Sequence, residues 1–255
     1  MRRLFVLAVL LFAFLLTSPA AQALDAATYA PEPVASGDYK TYLEGSALST
    51  SEILILNSSD WLFFSDQVSL RLRLDGAGYS EVGVTFFDVF LEEFGVVDIT
   101  FDYDTPLVYL PDTFELGEQW RTTTGHDVSL PGYSWRQTIE ITVSAIRIES
   151  VTVPFGTFPD AVVLEERRRQ WSSVGELFSD NLSRKWRVPC LGNVRAELTD
   201  LLTGDGPTVV LELADTNLVY CPEPSERVLG LASFITLAVL TAGRRRSLAD
   251  RQLPK

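Results

Sequence analysis

From Tyr42 onward the chain alternates between apolar and polar positions. In Val68–Leu74 the residues Val68, Leu70, Leu72 and Leu74 take one side, with Arg71 and Arg73 on the other. That period of two is what a half-buried strand imposes. Asp75-Gly76 and Gly78 supply the turn that follows. Val82–Phe90, Val96–Tyr103 and Thr138–Ile148 carry further strand patterns. In the last of these, Ile139, Ile141, Val143 and Ala145 share a face, and Ile146 and Ile148 then switch parity, as a β-bulge requires. No helical window of comparable amphipathic strength occurs. The fold class read from the pattern is all-β, a curved antiparallel sheet or partly open barrel spanning 42–221. Residues 24–41, containing Ala and Pro, read as a mobile lead-in.

A hairpin is expected near the end of this region. Val194, Ala196 and Leu198 alternate before Asp205-Gly206, and Val209, Leu211 and Leu213 alternate after it. Pairing Gly204 with Pro207 sets Leu198 opposite Leu213, and the same register carried outward sets Cys190 opposite Cys221. These are the only two cysteines. A Cys190–Cys221 disulfide is therefore predicted, since an exported chain folds where such bonds form. Closing a loop of about 30 residues stabilises by roughly 3–4 kcal/mol in the chain-entropy model. Two free thiols, or a bond to another chain, are the alternatives.

The two ends read as addresses. Arg2 and Arg3, an apolar run from Leu4 to Leu16, and the small-x-small site Ala21-Gln22-Ala23 make up a secretory signal over 1–23. Its run reaches about 20 Å, short of a ~30 Å hydrocarbon core. Cleavage after Ala23 by signal peptidase, following passage through the Sec translocon, would start the mature chain at Leu24. At the other end, Pro222-Glu223-Pro224 leads into an uncharged helix, 228–243, and then Arg244-Arg245-Arg246. A basic cluster after a late apolar run stays in the cytoplasm. The strong inserters in that run supply on the order of −2 to −5 kcal/mol, enough to hold a precursor in a membrane and marginal for a permanent anchor.

This arrangement over 222–246 resembles the PEP-CTERM sorting signal of Gram-negative bacteria. The resemblance implies processing by exosortase near the Pro-Glu-Pro, transient membrane insertion, and a destination at the cell envelope or in a matrix rich in exopolysaccharide. The extra residues 247–255 depart from the family, which usually stops at the Arg cluster. An ordinary stop-transfer helix after Pro-Glu-Pro is the alternative. A second resemblance runs through the central region. Leu110-Pro111 with Leu116-Gly117-Glu118-Gln119-Trp120, Val151–Phe158 around Pro154 and Gly156, and Trp186–Val194 around Pro189 and Gly192 are similar to the conserved pieces of a β-rich domain of bacterial exported proteins. Cys190 stands where that pattern usually has Gly. The resemblance implies a strongly curved antiparallel sheet and no catalysis.

Charge then narrows the partners. The 255-residue chain carries a formal −13. Removing 1–23 and everything from Pro222 leaves thirteen basic against thirty-one acidic residues, a net of −18. Such a surface disfavours nucleic acid, because nothing would neutralise its phosphates. The single histidine, His126, sits between Gly125 and Asp127 and reads as a surface-loop residue. No Gly-x-Ser-x-Gly elbow, Cys-x-x-Cys pair or phosphate-binding glycine loop occurs, so no catalytic, cofactor or metal residue is assigned. Asp102-Tyr103-Asp104 lacks the glycine loop of a calcium site and reads as a solvated strand. Neighbouring Glu165 and Glu166 should point to opposite faces. Alternation likewise puts Arg167 and Arg169 on one solvated side. Two sequons, at Asn57 and Asn181, have little weight beside a bacterial tail signal. The leading expectation is a noncatalytic exported envelope or matrix protein. Alternatives are a β-domain that cups a lipid or other apolar ligand, and an enzyme acting on extracellular polysaccharide.

Overall fold

A computed structural model describes residues 23–221 apart from Val34, Glu93, 131–132 and 204–207. Its elements in chain order begin with β1 (Leu24–Asp25), the one-turn helix α1 (Ala26–Tyr29), β2 (Asp38–Glu44), β3 (Ala47–Ile55), β4 (Asp60–Phe64) and β5 (Val68–Asp75). They continue through β6 (Gly78–Leu91), β7 (Gly95–Pro111), β8 (Thr113–Phe114), β9 (Gln119–Leu130) and β10 (Tyr133–Val153). The last four are β11 (Gly156–Ser172), β12 (Leu177–Val188), β13 (Gly192–Asp200) and β14 (Val209–Thr216). The described residues up to Tyr220 belong to one unit, and Cys221 begins a second, of which nothing more is described.

Twelve strands form one antiparallel sheet in the order β7-β6-β5-β4-β3-β2-β14-β13-β12-β11-β10-β9. Two meanders thus meet where β14 returns beside β2, with Leu213 opposite Tyr42. The sheet curls until its edges face each other and the barrel is nearly closed. Along that seam the Thr105 amide donates to Thr124 Oγ1 at 3.0 Å and Trp120 Nε1 donates to the Val108 carbonyl at 3.3 Å. Curling of this kind gives every strand an inner and an outer face. Ile139, Ile141, Val143 and Ala145 of β10 are all buried, and the register shift expected after them falls between Ala145 and Arg147.

Several expectations are corrected. The lead-in is built into the structure rather than mobile over its first half. Leu24 pairs with Phe114, the Asp25 carboxylate caps α1 through the Ala27 amide at 2.7 Å, and Ala26, Tyr29 and Ala30 are fully buried. The last residues of the expected lead-in, Asp38 to Thr41, belong to β2, with Thr41 paired to Thr50 of β3. The hairpin register also differs. Leu198 opposes Val209, not Leu213, so the ladder sits four positions nearer the turn in summed register. Parity is preserved, which is why the apolar sets still coincide; Asp205-Gly206 lies outside the described residues. Carried outward, the observed ladder would not align the cysteines, yet neither is free and both are disulfide-bonded.

Cys190 reaches its position through a turn. The Leu191 amide bonds the Val188 carbonyl at 3.2 Å, with Pro189 first and Cys190 second in the bend. Cys190 has φ +61°, the conformation a type II turn demands at that place and glycine normally supplies. This explains the glycine of the resembled motif. The same turn receives the lead-in: the Cys190 amide donates to the Thr28 carbonyl and the Glu32 amide donates to the Cys190 carbonyl, both at 2.8 Å. Gly192 is required there as well, because a Cβ would lie 2.9 Å from Pro31 Cδ. The segment around α1 therefore plugs one end of the barrel. Among the described residues no helix is long and apolar enough to cross a membrane. The signal residue Ala21 and the sorting-signal residues Pro222, Glu223, Pro224, Arg244, Arg245 and Arg246, with helix 228–243, lie outside the described residues.

Candidate functional site

Charged residues line the inside of the barrel. On β11, Leu164, Glu166 and Arg168 share the inward parity, and on β12 Lys185 and Arg187 meet them, with Lys185 opposite Leu164 and Arg187 opposite Val162. Glu165 faces out to Arg184 at 3.4 Å, so the adjacent glutamates diverge as alternation requires. Arg167 and Arg169 also face out, Arg167 gripping Asp180 through two bonds of 2.9 and 2.7 Å and Arg169 pairing with Glu140. Asp102 and Asp104 each take an arginine, Arg71 and Arg136, on the outer surface.

Arg168 crosses the interior to Glu81 on β6. Its Nη2 lies 3.1 Å from Glu81 Oε1 and donates to the Tyr103 hydroxyl at 2.9 Å, while Nη1 donates to the Tyr109 hydroxyl at 3.2 Å. Tyr103 donates to Glu81 Oε1 at 2.5 Å, and Tyr109 donates to Oε2. Glu81 is 1% exposed. Burial pushes its carboxyl up, but the Arg168 charge and the hydrogen bonds from Arg168, Tyr103 and Tyr109 outweigh that and hold it below the ordinary glutamate value. Burial, with the Glu81 charge beside them, raises both tyrosine hydroxyls, which keeps them as donors. His126 is a buried strand residue rather than a surface-loop one. It is 1% exposed on β9, packs 4.6 Å from Phe101 centroid to centroid, and shares a 3.1 Å hydrogen bond between Nε2 and Gln137 Oε1. Burial lowers its pKa.

Beside this network is a cavity of about 130 Å³. Phe63, Leu70, Leu72, Tyr79 and Leu164 give it an apolar wall, and Pro31 of the plug contributes to its lining. Lys40, Lys185, Arg187 and Glu166 also line it. Lys185 is neutralised by Glu166 at 2.6 Å and lies over the Tyr109 ring at 4.9 Å. Lys40, 2% exposed, has only backbone acceptors, Leu191 O at 2.9 Å and Asn193 O. Burial, and then the Arg187 charge, hold its ammonium well below the usual lysine range. Arg187 is 4% exposed, its guanidinium lies over the Tyr79 ring at 4.5 Å, and its Nε has no hydrogen-bond partner. No carboxylate among the described residues pairs with it. Leaving a buried charge unpaired costs several kcal/mol, more than a ring face at ~2 kcal/mol returns. The Asn193 Oδ1 at the same cavity is also unpartnered.

The sequence alone assigns no role to Glu81, Lys40, Lys185 or Arg187. A signal does exist on β11 and β12, where acid and base occupy the same parity as Leu164. What the sequence lacks is which side faces inward.

The arrangement is that of a nearly closed up-and-down barrel with a plugged end and a cation-rich interior. No protein-family model and no curated protein sequence matches the chain. Among solved structures it is similar to a candidate lipoprotein from Parabacteroides distasonis ATCC 8503, at 13% identity and TM-score 0.42, over 76% of this chain and 100% of that one. A candidate exported protein with a YmcC-like fold from Bacteroides fragilis NCTC 9343 is similar at 11% identity and TM-score 0.34, over 75% and 99%.

Proposed function

We propose that the protein is a noncatalytic binding module of the cell envelope, exported through Sec, that holds a small ligand inside its barrel. The observation that carries this reading is the interior cavity of about 130 Å³, lined by both apolar and polar side chains behind a plugged end. A cavity of ~150 Å³ admits a molecule the size of benzene, so the enclosed part of the ligand has about six heavy atoms. A noncatalytic role fits the two interior carboxylates, since Glu81 and Glu166 are each engaged by a cation and offer no free acid or base. The location rests on the signal at Ala21 and Ala23 and on the PEP-CTERM resemblance at Pro222 to Arg246. Exosortase then trims the tail, and exopolysaccharide is the surrounding matrix. Mass analysis under native conditions, on protein recovered from envelopes of cells with and without the sorting enzyme, tests both parts. The expected result is a chain starting at Leu24, shortened beyond Cys221 only when the enzyme is present, with a retained small molecule. A chain recovered bare under mild conditions would remove the binding role, and one still carrying Arg244 in enzyme-positive cells would remove the sorting role.

A further inference from the structure

The charge inside the cavity specifies the ligand. We infer that the barrel binds an organic anion, its carboxylate or phosphate held by Arg187 and Lys40 and its short apolar part against Leu70, Leu72 and Leu164. This rests on the binding-module reading above and adds the sign and shape of what is bound.

Three observations point the same way. Arg187 is almost wholly buried, lines the cavity, and carries an Nε donor with nothing to receive it. Lys40 lines the same cavity and meets two carbonyl oxygens and the Tyr42 ring at 5.1 Å, with no carboxylate against it among the described residues, so an anion bound there would favour its protonated form. Glu166, the carboxylate of the lining, is already spent on Lys185 at 2.6 Å. A neutral apolar guest would leave the buried Arg187 charge with the Tyr79 side chain and no anionic partner. A carboxylate or phosphate would accept from it in the forked geometry that arginine favours. Leu70, Leu72 and Leu164 line the same cavity, so a free inorganic anion would leave that apolar surface unfilled.

Calorimetric titration of the full chain separates the sources, using hexanoate (charge with chain), 1-hexanol (chain alone) and inorganic phosphate (charge alone). Hexanoate is expected to bind at least tenfold more tightly than either of the others. Arg187→Gln should weaken hexanoate at least tenfold and leave 1-hexanol unchanged, while Arg187→Lys should recover part of the loss. The 1-hexanol arm also reports whether each variant retains a folded cavity. Equal binding of hexanoate and 1-hexanol, indifferent to Arg187→Gln, would overturn the anion inference and leave the binding module standing. Phosphate binding as tightly as hexanoate would overturn the apolar half and assign the site to a free anion. A folded wild-type chain that takes none of the probes and is recovered bare from envelopes would sink both readings.

Discussion

Glu81 shows how an isolated carboxylate survives inside a barrel. Two tyrosine hydroxyls and the Arg168 guanidinium satisfy both its oxygens, and the pair closes the interior between β6 and β11. Removing one member of a buried pair leaves the other charge stranded, at about 3–5 kcal/mol. Glu81→Gln is therefore expected to lower stability by about 3 kcal/mol at neutral pH in urea melts. The folded carboxyl titrates below its ordinary value of 4.5, so its contribution is complete above 4.5 and is lost as pH falls through the lower folded value. The variant has no such group to lose. The gap between the two proteins should accordingly narrow in acid, and a gap that widens there would contradict this account. The sequence could not show this site, because Glu81 and Arg168 are 87 residues apart and each reads locally as one more charge on a strand. His126 misleads for the same reason: its polar neighbours Gly125 and Asp127 suggest a loop, while its burial depends on Phe101 and Tyr103 from β7.

At the scale of elements, what is legible is whatever depends on neighbours in sequence. The inward parity of Leu70, Leu72 and Leu74 and the bulge after Ala145 follow from the pleat, and both are present. The register of β13 with β14 is not legible, because parity fixes only odd or even offsets and centring the turn on Asp205-Gly206 selects a pair sum four higher than the observed ladder. Composition hides the lead-in, since Ala and Pro signal mobility only when nothing packs on them. In the structure Tyr29 is fully buried and meets Phe114 edge-on at 6.3 Å. Tyr29→Ala should cost about 3–5 kcal/mol, as other buried aromatic truncations do. Because α1 docks on the turn holding Cys190, it should also raise hydrogen exchange at the Cys190 and Glu32 amides, which bond across that contact. Exchange unchanged at those amides would show that the plug is held without Tyr29.

Over the whole molecule the sign of charge reverses between outside and inside. The stretch Leu24–Cys221 carries a net −18, whereas among the described interior residues Arg168, Arg187 and Lys185 stand against Glu81 and Glu166, with Lys40 beside them. An anion approaching the barrel meets repulsion before it meets Arg187, and only the first of these is screened by salt. The Debye length shrinks from ~30 Å at 0.01 M to ~8 Å at 0.15 M, while a pair formed in a buried site is screened little. Association of hexanoate, followed by stopped-flow fluorescence of Trp61, which stacks on the Tyr79 ring at 6.1 Å, should therefore quicken as salt is raised over that range. Its dissociation rate should stay nearly constant, and 1-hexanol should show neither effect. The direction is diagnostic: a rate that slows with salt would mean that the route inward is locally positive and that the acidic exterior plays no part in admitting the ligand.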